Sequence, residues 1–123
     1  MISVVHLVPR ISRGGGTASP LNIARQLQLR GSSSHLFVSL AKAEPETAKS
    51  FREEGFPIID APTPEQLDDL IAQADVVQVD WWNTPETANL LSRGLPPSRL
   101  VLWSVVTGDA PPHVISEELL AKV

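Results

Sequence analysis

The sequence contains no cysteine. Disulfides and thiolate-bound metals are thereby excluded, and the chain suits a reducing compartment. It also lacks a surplus of positive charge: Lys and Arg number 10 against 14 Asp and Glu, a net charge of −4. A general nucleic-acid binder carries a basic field, so nucleic acid is not an expected partner. No apolar run is long enough to span a bilayer. Met1 to Val8 is apolar but has no basic segment before it, so it reads as a strand and not as a signal peptide. A cytoplasmic location is the expectation. The three histidines, His6, His35 and His113, lack the spacing of metal ligands, and no metal site is expected. His6 and His35 fall in or beside strand patterns and read as structural.

What is present is enough for one folded domain spanning residues 1–123. Hydrophobic residues make up 42% and charged residues 20%, a balance that supports a packed core and argues against disorder.

The chain is organised around the stretch from Val8 to Pro20. An apolar run ends at Val8, and a helical pattern is expected to begin with Ser19 as cap and Pro20 at the first helical position. Between them lie Gly14, Gly15 and Gly16, flanked by Arg10 and Arg13. Glycine admits positive φ and lets backbone approach a ligand. The first N–H groups of a helix lack partners, so such a turn suits a phosphate, a carboxylate or a sugar hydroxyl. It is equally readable as a plain surface turn. It is not a P-loop, because no Lys follows the glycines. It completes only half of the dinucleotide fingerprint, since Ser19 stands where the last glycine belongs. Three adjacent glycines predict a mobile loop that orders on a ligand.

The rest alternates strand and helix. Ile2 to Val8 is the first strand, an almost continuous apolar run as expected for a parallel sheet buried on both faces. The first helix shows Ile23, Ala24 and Leu27 on one face and stops at Arg30-Gly31. The second strand is His35 to Leu40. A helix follows over Pro45 to Glu54, with Ala48 and Phe51 inward. Phe56 to Ile59 is a short strand that contains Pro57, which places it at a sheet edge. Thr63 and Gln66 form a capping box around Pro64. Leu67, Leu70, Ile71 and Ala74 then recur at helical spacing. Asp75 to Asp80 is the fourth strand. A helix opening at Thr84-Pro85 carries Ala88, Leu90 and Leu91. Leu100 to Val106 is the fifth strand, and Ser116 caps a last helix through Lys122. This alternation predicts an α/β, Rossmann-like three-layer domain with a parallel five-stranded sheet in the order 3-2-1-4-5. Ligands are expected outside the strand C-termini, where strands 1 and 4 diverge.

Three loops converge there: the glycine turn, the stretch Asp80-Trp81-Trp82-Asn83-Thr84, and the stretch from Thr107 to His113. A tryptophan pair can stack on a sugar ring, with Asn83 and Asp80 as polar partners. One indole is expected to cap the core and the other to meet a ligand. The candidate substrate-binding residues are Gly14, Gly15, Gly16, Thr17, Trp81, Trp82, Asn83, Thr107 and Gly108. Asp109 is the candidate base, or a solvated loop carboxylate.

The order and spacing of these pieces resemble the N-terminal domain of GT-B fold glycosyltransferases of the group 1 (family 4) retaining type. The resemblance rests on Gly14-Gly15-Gly16 followed by Leu21, Ala24, Leu27 and Arg30-Gly31, on Ala74-Asp75-Val76-Val77 with Val79 and Trp81, and on Trp103 to Gly108. It spans almost the whole chain. It implies that this domain holds a sugar or glycan acceptor and that its glycine loop approaches the donor phosphate. It further implies that the nucleotide-sugar is a substrate bound by a separate C-terminal domain, and that no cofactor or metal is required. The donor domain is the expected partner, and the chain without it is expected not to turn over. A peripheral membrane contact stays open. The family often has His-Gly after strand 5, where this chain has Thr107-Gly108, so that catalytic histidine is not carried over. The alternatives are a dinucleotide-binding or small-ligand Rossmann module and a non-catalytic interaction module. No acidic residue ends strand 2 to hold a ribose, and no acidic cluster ends strand 1 as in a receiver domain.

Overall fold

The computed structural model describes residues 1–81, 84–104 and 114–123. Five strands and five helices alternate among them: β1 (Ile2–Val8), α1 (Gly15–Leu29), β2 (Ser33–Ser39), α2 (Pro45–Glu53), β3 (Ile58–Asp60), α3 (Pro64–Gln73), β4 (Val76–Trp81), α4 (Pro85–Ser92), β5 (Leu100–Ser104) and α5 (Glu117–Leu120). All strand pairings are parallel, and the sheet order is β3-β2-β1-β4-β5. The fold is α/β and Rossmann-like, as the alternation predicts.

The two faces of the sheet bury different sets of residues, because successive strand side chains alternate. On one face Val8 and Phe37 pack with Ala24 of α1 and with Ala48 and Phe51 of α2. On the other, Val5, Leu7, Val38, Val77 and Val79 pack with Leu67 and Ile71 of α3 and Leu90 of α4. Burying one such Phe or Leu side chain is worth roughly 1.5–3 kcal/mol. β3 lies at the edge, where Pro57 costs no ladder donor; its carbonyl still accepts from Phe37 N–H at 3.1 Å.

Several helix starts follow the sequence closely. Thr63 and Gln66 make both bonds of the capping box, at 3.2 and 2.9 Å. Thr84 caps α4 through Thr87 N–H, and Ser116 caps α5 through Leu119 N–H. Other boundaries move. β2 begins two residues earlier than expected, β3 begins at Ile58, and α5 closes at Leu120.

The largest difference is the start of α1. It begins at Gly15, not Pro20, with Gly14 as N-cap and Pro20 inside the helix. The Gly14 carbonyl accepts from Thr17 and Ala18 N–H, which closes the first turn five residues early. Pro20 lacks the N–H that would bond the Gly16 carbonyl. It is buried instead, in line with Thr17, Leu21 and Ala24 at i, i+3, i+4 and i+7 spacing. Gly15 and Gly16 are therefore helical backbone and not free loop.

Candidate functional site

The sheet order places the C-terminal ends of β1, β4 and β5 side by side. Leu7 pairs with Val79, and Trp81 pairs with Ser104. α1 leaves the end of β1 toward one face, while α3 and α4 cover the other. The connections leaving β1 and β4 thus diverge to opposite faces, where open α/β sheets bind ligands.

The turn from β1 into α1 is held firmly at its base. Ile11 is fully buried in the core. Its N–H donates to the Ser39 hydroxyl at 2.9 Å, and that hydroxyl donates to the Ala41 carbonyl at 2.5 Å. Ala41 N–H and Glu44 N–H in turn donate to the Pro9 and Ile11 carbonyls. Arg10 Nε is engaged by the Lys42 carbonyl at 3.0 Å. Ile11 anchors one end of this stretch, and Thr17 is only 7% exposed at the other. The Thr17 hydroxyl donates to the Arg10 carbonyl and accepts from Ser12 N–H.

Gly14 is the conformational pivot. Its φ of 140° and ψ of 174° lie in a region reached almost only by glycine. No side chain caps α1; the Gly14 carbonyl takes the Thr17 and Ala18 N–H groups, and the positive end of the helix dipole lies at this turn. Beside this start, toward α2, runs a groove of about 290 Å³ lined by Arg13, Gly14, Thr17, Glu44 and Thr47 among others.

β4 contributes the least expected feature. Asp80, read from sequence as an accessible polar partner at the loop, is 2% exposed. Neither carboxylate oxygen has a hydrogen-bond partner among the described residues. Burial pushes its carboxyl up to about 7, against a lowering influence of the Gln78 amide, which lies near it but outside hydrogen-bond geometry. An unpaired buried carboxyl costs stability, and such groups concentrate at functional sites.

Alternation places Gln78 and Asp80 on the face opposite Val77 and Val79, hence on the α1 side. Register adds His6, paired with Gln78, and Trp103, paired with Asp80. His6 Nδ1, Gln78 Nε2 and Trp103 Nε1 are also buried without hydrogen-bond partners among the described residues. His6 has one partner on its other side, His35 Nδ1 at 2.8 Å, and His35 Nε2 meets the Ser33 hydroxyl at 2.8 Å. Burial, with the neighbouring His35 second, lowers His6 to about 3; burial also lowers His35. Both rings are uncharged at neutral pH.

The structure thus brings Gly14, Gly15, Gly16 and Thr17 to the same sheet edge as Asp80 and Trp81. Trp81 is the indole of the pair that caps the core. β4 runs one residue past Asp80, because Trp81 pairs with Ser104. The indole is 6% exposed and packs with Leu91 and Leu119. Trp82, Asn83, Thr107, Gly108, Asp109 and His113 lie outside the described residues. The row on the α1 face was not anticipated; the polar parity of Gln78 and Asp80 in an otherwise apolar strand was its one visible signal. Among the described residues no group of three His, Asp or Glu side chains is placed to hold a metal ion, and no helix is long and apolar enough to cross a membrane. No protein-family model, curated protein or solved structure matches this chain.

Proposed function

We propose that the chain is the acceptor-side domain of a GT-B glycosyltransferase, holding a sugar or glycan while a second domain presents a nucleotide-sugar. The observation that carries this reading is the pairing at the β1/β4 divergence of an uncapped α1 start, pivoting on Gly14, with the buried and unpartnered carboxyl of Asp80. Helix N–H donors and a carboxyl acceptor together suit a ligand that both accepts and donates hydrogen bonds, which describes a sugar hydroxyl. The donor nucleotide is bound elsewhere in this reading and needs no cofactor here. Trp82, Asn83, Thr107 and Gly108 complete the acceptor site, with Asp109 as candidate base. Dinucleotide binding is the weaker alternative: β2 ends at Ser39, whose hydroxyl is already engaged by Ile11 and Ala41. Calorimetric titration with simple glycans and with NAD separates the two. Saturable glycan binding with no heat from NAD is the expected result; tight NAD binding without glycan binding overturns the proposal.

A further inference from the structure

We infer that His6, Gln78, Asp80 and Trp103 form the floor of a site for an uncharged, hydroxyl-bearing ligand and not for an anion. The inference rests on the acceptor-side reading above and specifies its ligand class. The four side chains occupy adjacent register positions on the α1 face of β1, β4 and β5. Each carries a buried polar atom without a hydrogen-bond partner among the described residues. Native interiors rarely leave such atoms bare, so a clustered set of them points to an occupant.

The chemistry of the set selects that occupant. Gln78 Nε2 and Trp103 Nε1 only donate. The Asp80 carboxylate accepts, and it donates as well when protonated. For His6 the two tautomers differ in cost. If His6 Nε2 donates to His35 Nδ1, then His35 Nε2 donates to the Ser33 hydroxyl and His6 Nδ1 presents a lone pair. The opposite arrangement leaves a bare buried N–H, the rarer fault in native structures. His6 Nδ1 is therefore assigned as an acceptor. A phosphate satisfies the two donors but faces His6 and Asp80 with like polarity in a low-dielectric setting. An ammonium satisfies the acceptors and leaves Gln78 and Trp103 bare. A hydroxyl both donates and accepts, and several on one ring match the mixed set. A bound water offers the same chemistry, so the test separates water from sugar.

The full chain is titrated by calorimetry with glucose, mannose, galactose and N-acetylglucosamine, and separately with inorganic phosphate. The series is repeated on Asp80→Leu and Gln78→Leu, with thermal unfolding as a control for folding. If Asp80→Leu does not fold, Gln78→Leu, which is close in shape and less buried, carries the test. The expected result is that one sugar binds the native chain and that each folded variant weakens it by about tenfold, the loss of one buried hydrogen bond. Equal sugar affinity in native chain and variants overturns the inference and leaves the acceptor-side reading standing. Absence of any sugar binding, with only water on the floor, overturns both. Phosphate binding that Gln78→Leu weakens overturns the ligand class.

Discussion

His6 Nε2 lies 2.8 Å from His35 Nδ1 inside the sheet, with the His6 ring stacked on Phe37 at 4.5 Å. The pair joins β1 to β2 on the α1 face, and each imidazole is held neutral by burial. Protonating His6, at Nδ1, strands a charge in the core.

Two buried groups therefore oppose one another as pH changes. His6 is lowered from 6.5 to about 3 on folding. Its stabilising effect is present above 6.5 and is lost as pH falls toward 3. Asp80 is raised from 3.8 to about 7. Its effect is present below 3.8 and is lost as pH rises through 7. Each is worth on the order of 4–5 kcal/mol over its whole range. Between about pH 4 and 6.5 their slopes cancel. Denaturant unfolding across pH should find the native chain nearly flat there, apart from a smaller loss on the acid side from His35.

Asp80→Asn removes one side of that balance. The variant should gain about 1–3 kcal/mol over the native chain at pH 8, because an unpaired charge leaves the interior while an unpaired amide remains. The gain should vanish by pH 4. Stability of the variant should rise with pH between 4 and 6.5, by roughly 1.4 kcal/mol per pH unit from His6. A variant less stable than the native chain at pH 8 contradicts the burial of an unpartnered Asp80.

His6→Leu exposes the opposite slope. It removes the titrating ring but leaves His35 Nδ1 without its partner. Stability at pH 7 should fall by about 1–3 kcal/mol. Between pH 4 and 6.5 it should now decrease as pH rises, since the slope from Asp80 outweighs the smaller opposite one from His35. The same denaturant series reads both effects.

Gly14→Ala tests the pivot of the turn. An added Cβ meets nothing within 4 Å, so crowding is not the cost. The φ of 140° is one that L side chains rarely adopt, and strain of this kind costs about 1–3 kcal/mol. Thr63→Ala, by comparison, should lose about 1 kcal/mol through the capping box alone. Equilibrium unfolding measures both, and a neutral Gly14→Ala contradicts the assigned backbone.

Much of the fold was legible because it depends on local signals. The capping box at Thr63 and Gln66, Thr84 before Pro85, and Pro57 at an edge each state their structural role without knowledge of partners. Alternation and right-handed crossovers then give the strand order. The start of α1 was hidden because Ser19-Pro20 imitates a cap and first position, while the real cap is a backbone carbonyl at Gly14 that no side chain advertises. The site was less legible because it depends on register. That His6 meets His35, that Asp80 lies beside Trp103, and that β4 continues to bury Trp81 all follow from which residues align across strands. Sequence spacing shows that Gln78 and Asp80 share a face, but not that Asp80 is buried on it.

The most direct test of the central claim, that the β1/β4 divergence binds a neutral sugar, is amide chemical-shift mapping of the full chain by NMR. A saturating glycan is predicted to shift the amides of Gly14, Thr17, Ala18, Gln78 and Asp80, with NAD leaving them unmoved. Glycan titrations that leave these five amides in place, or NAD shifts centred on them, contradict the account.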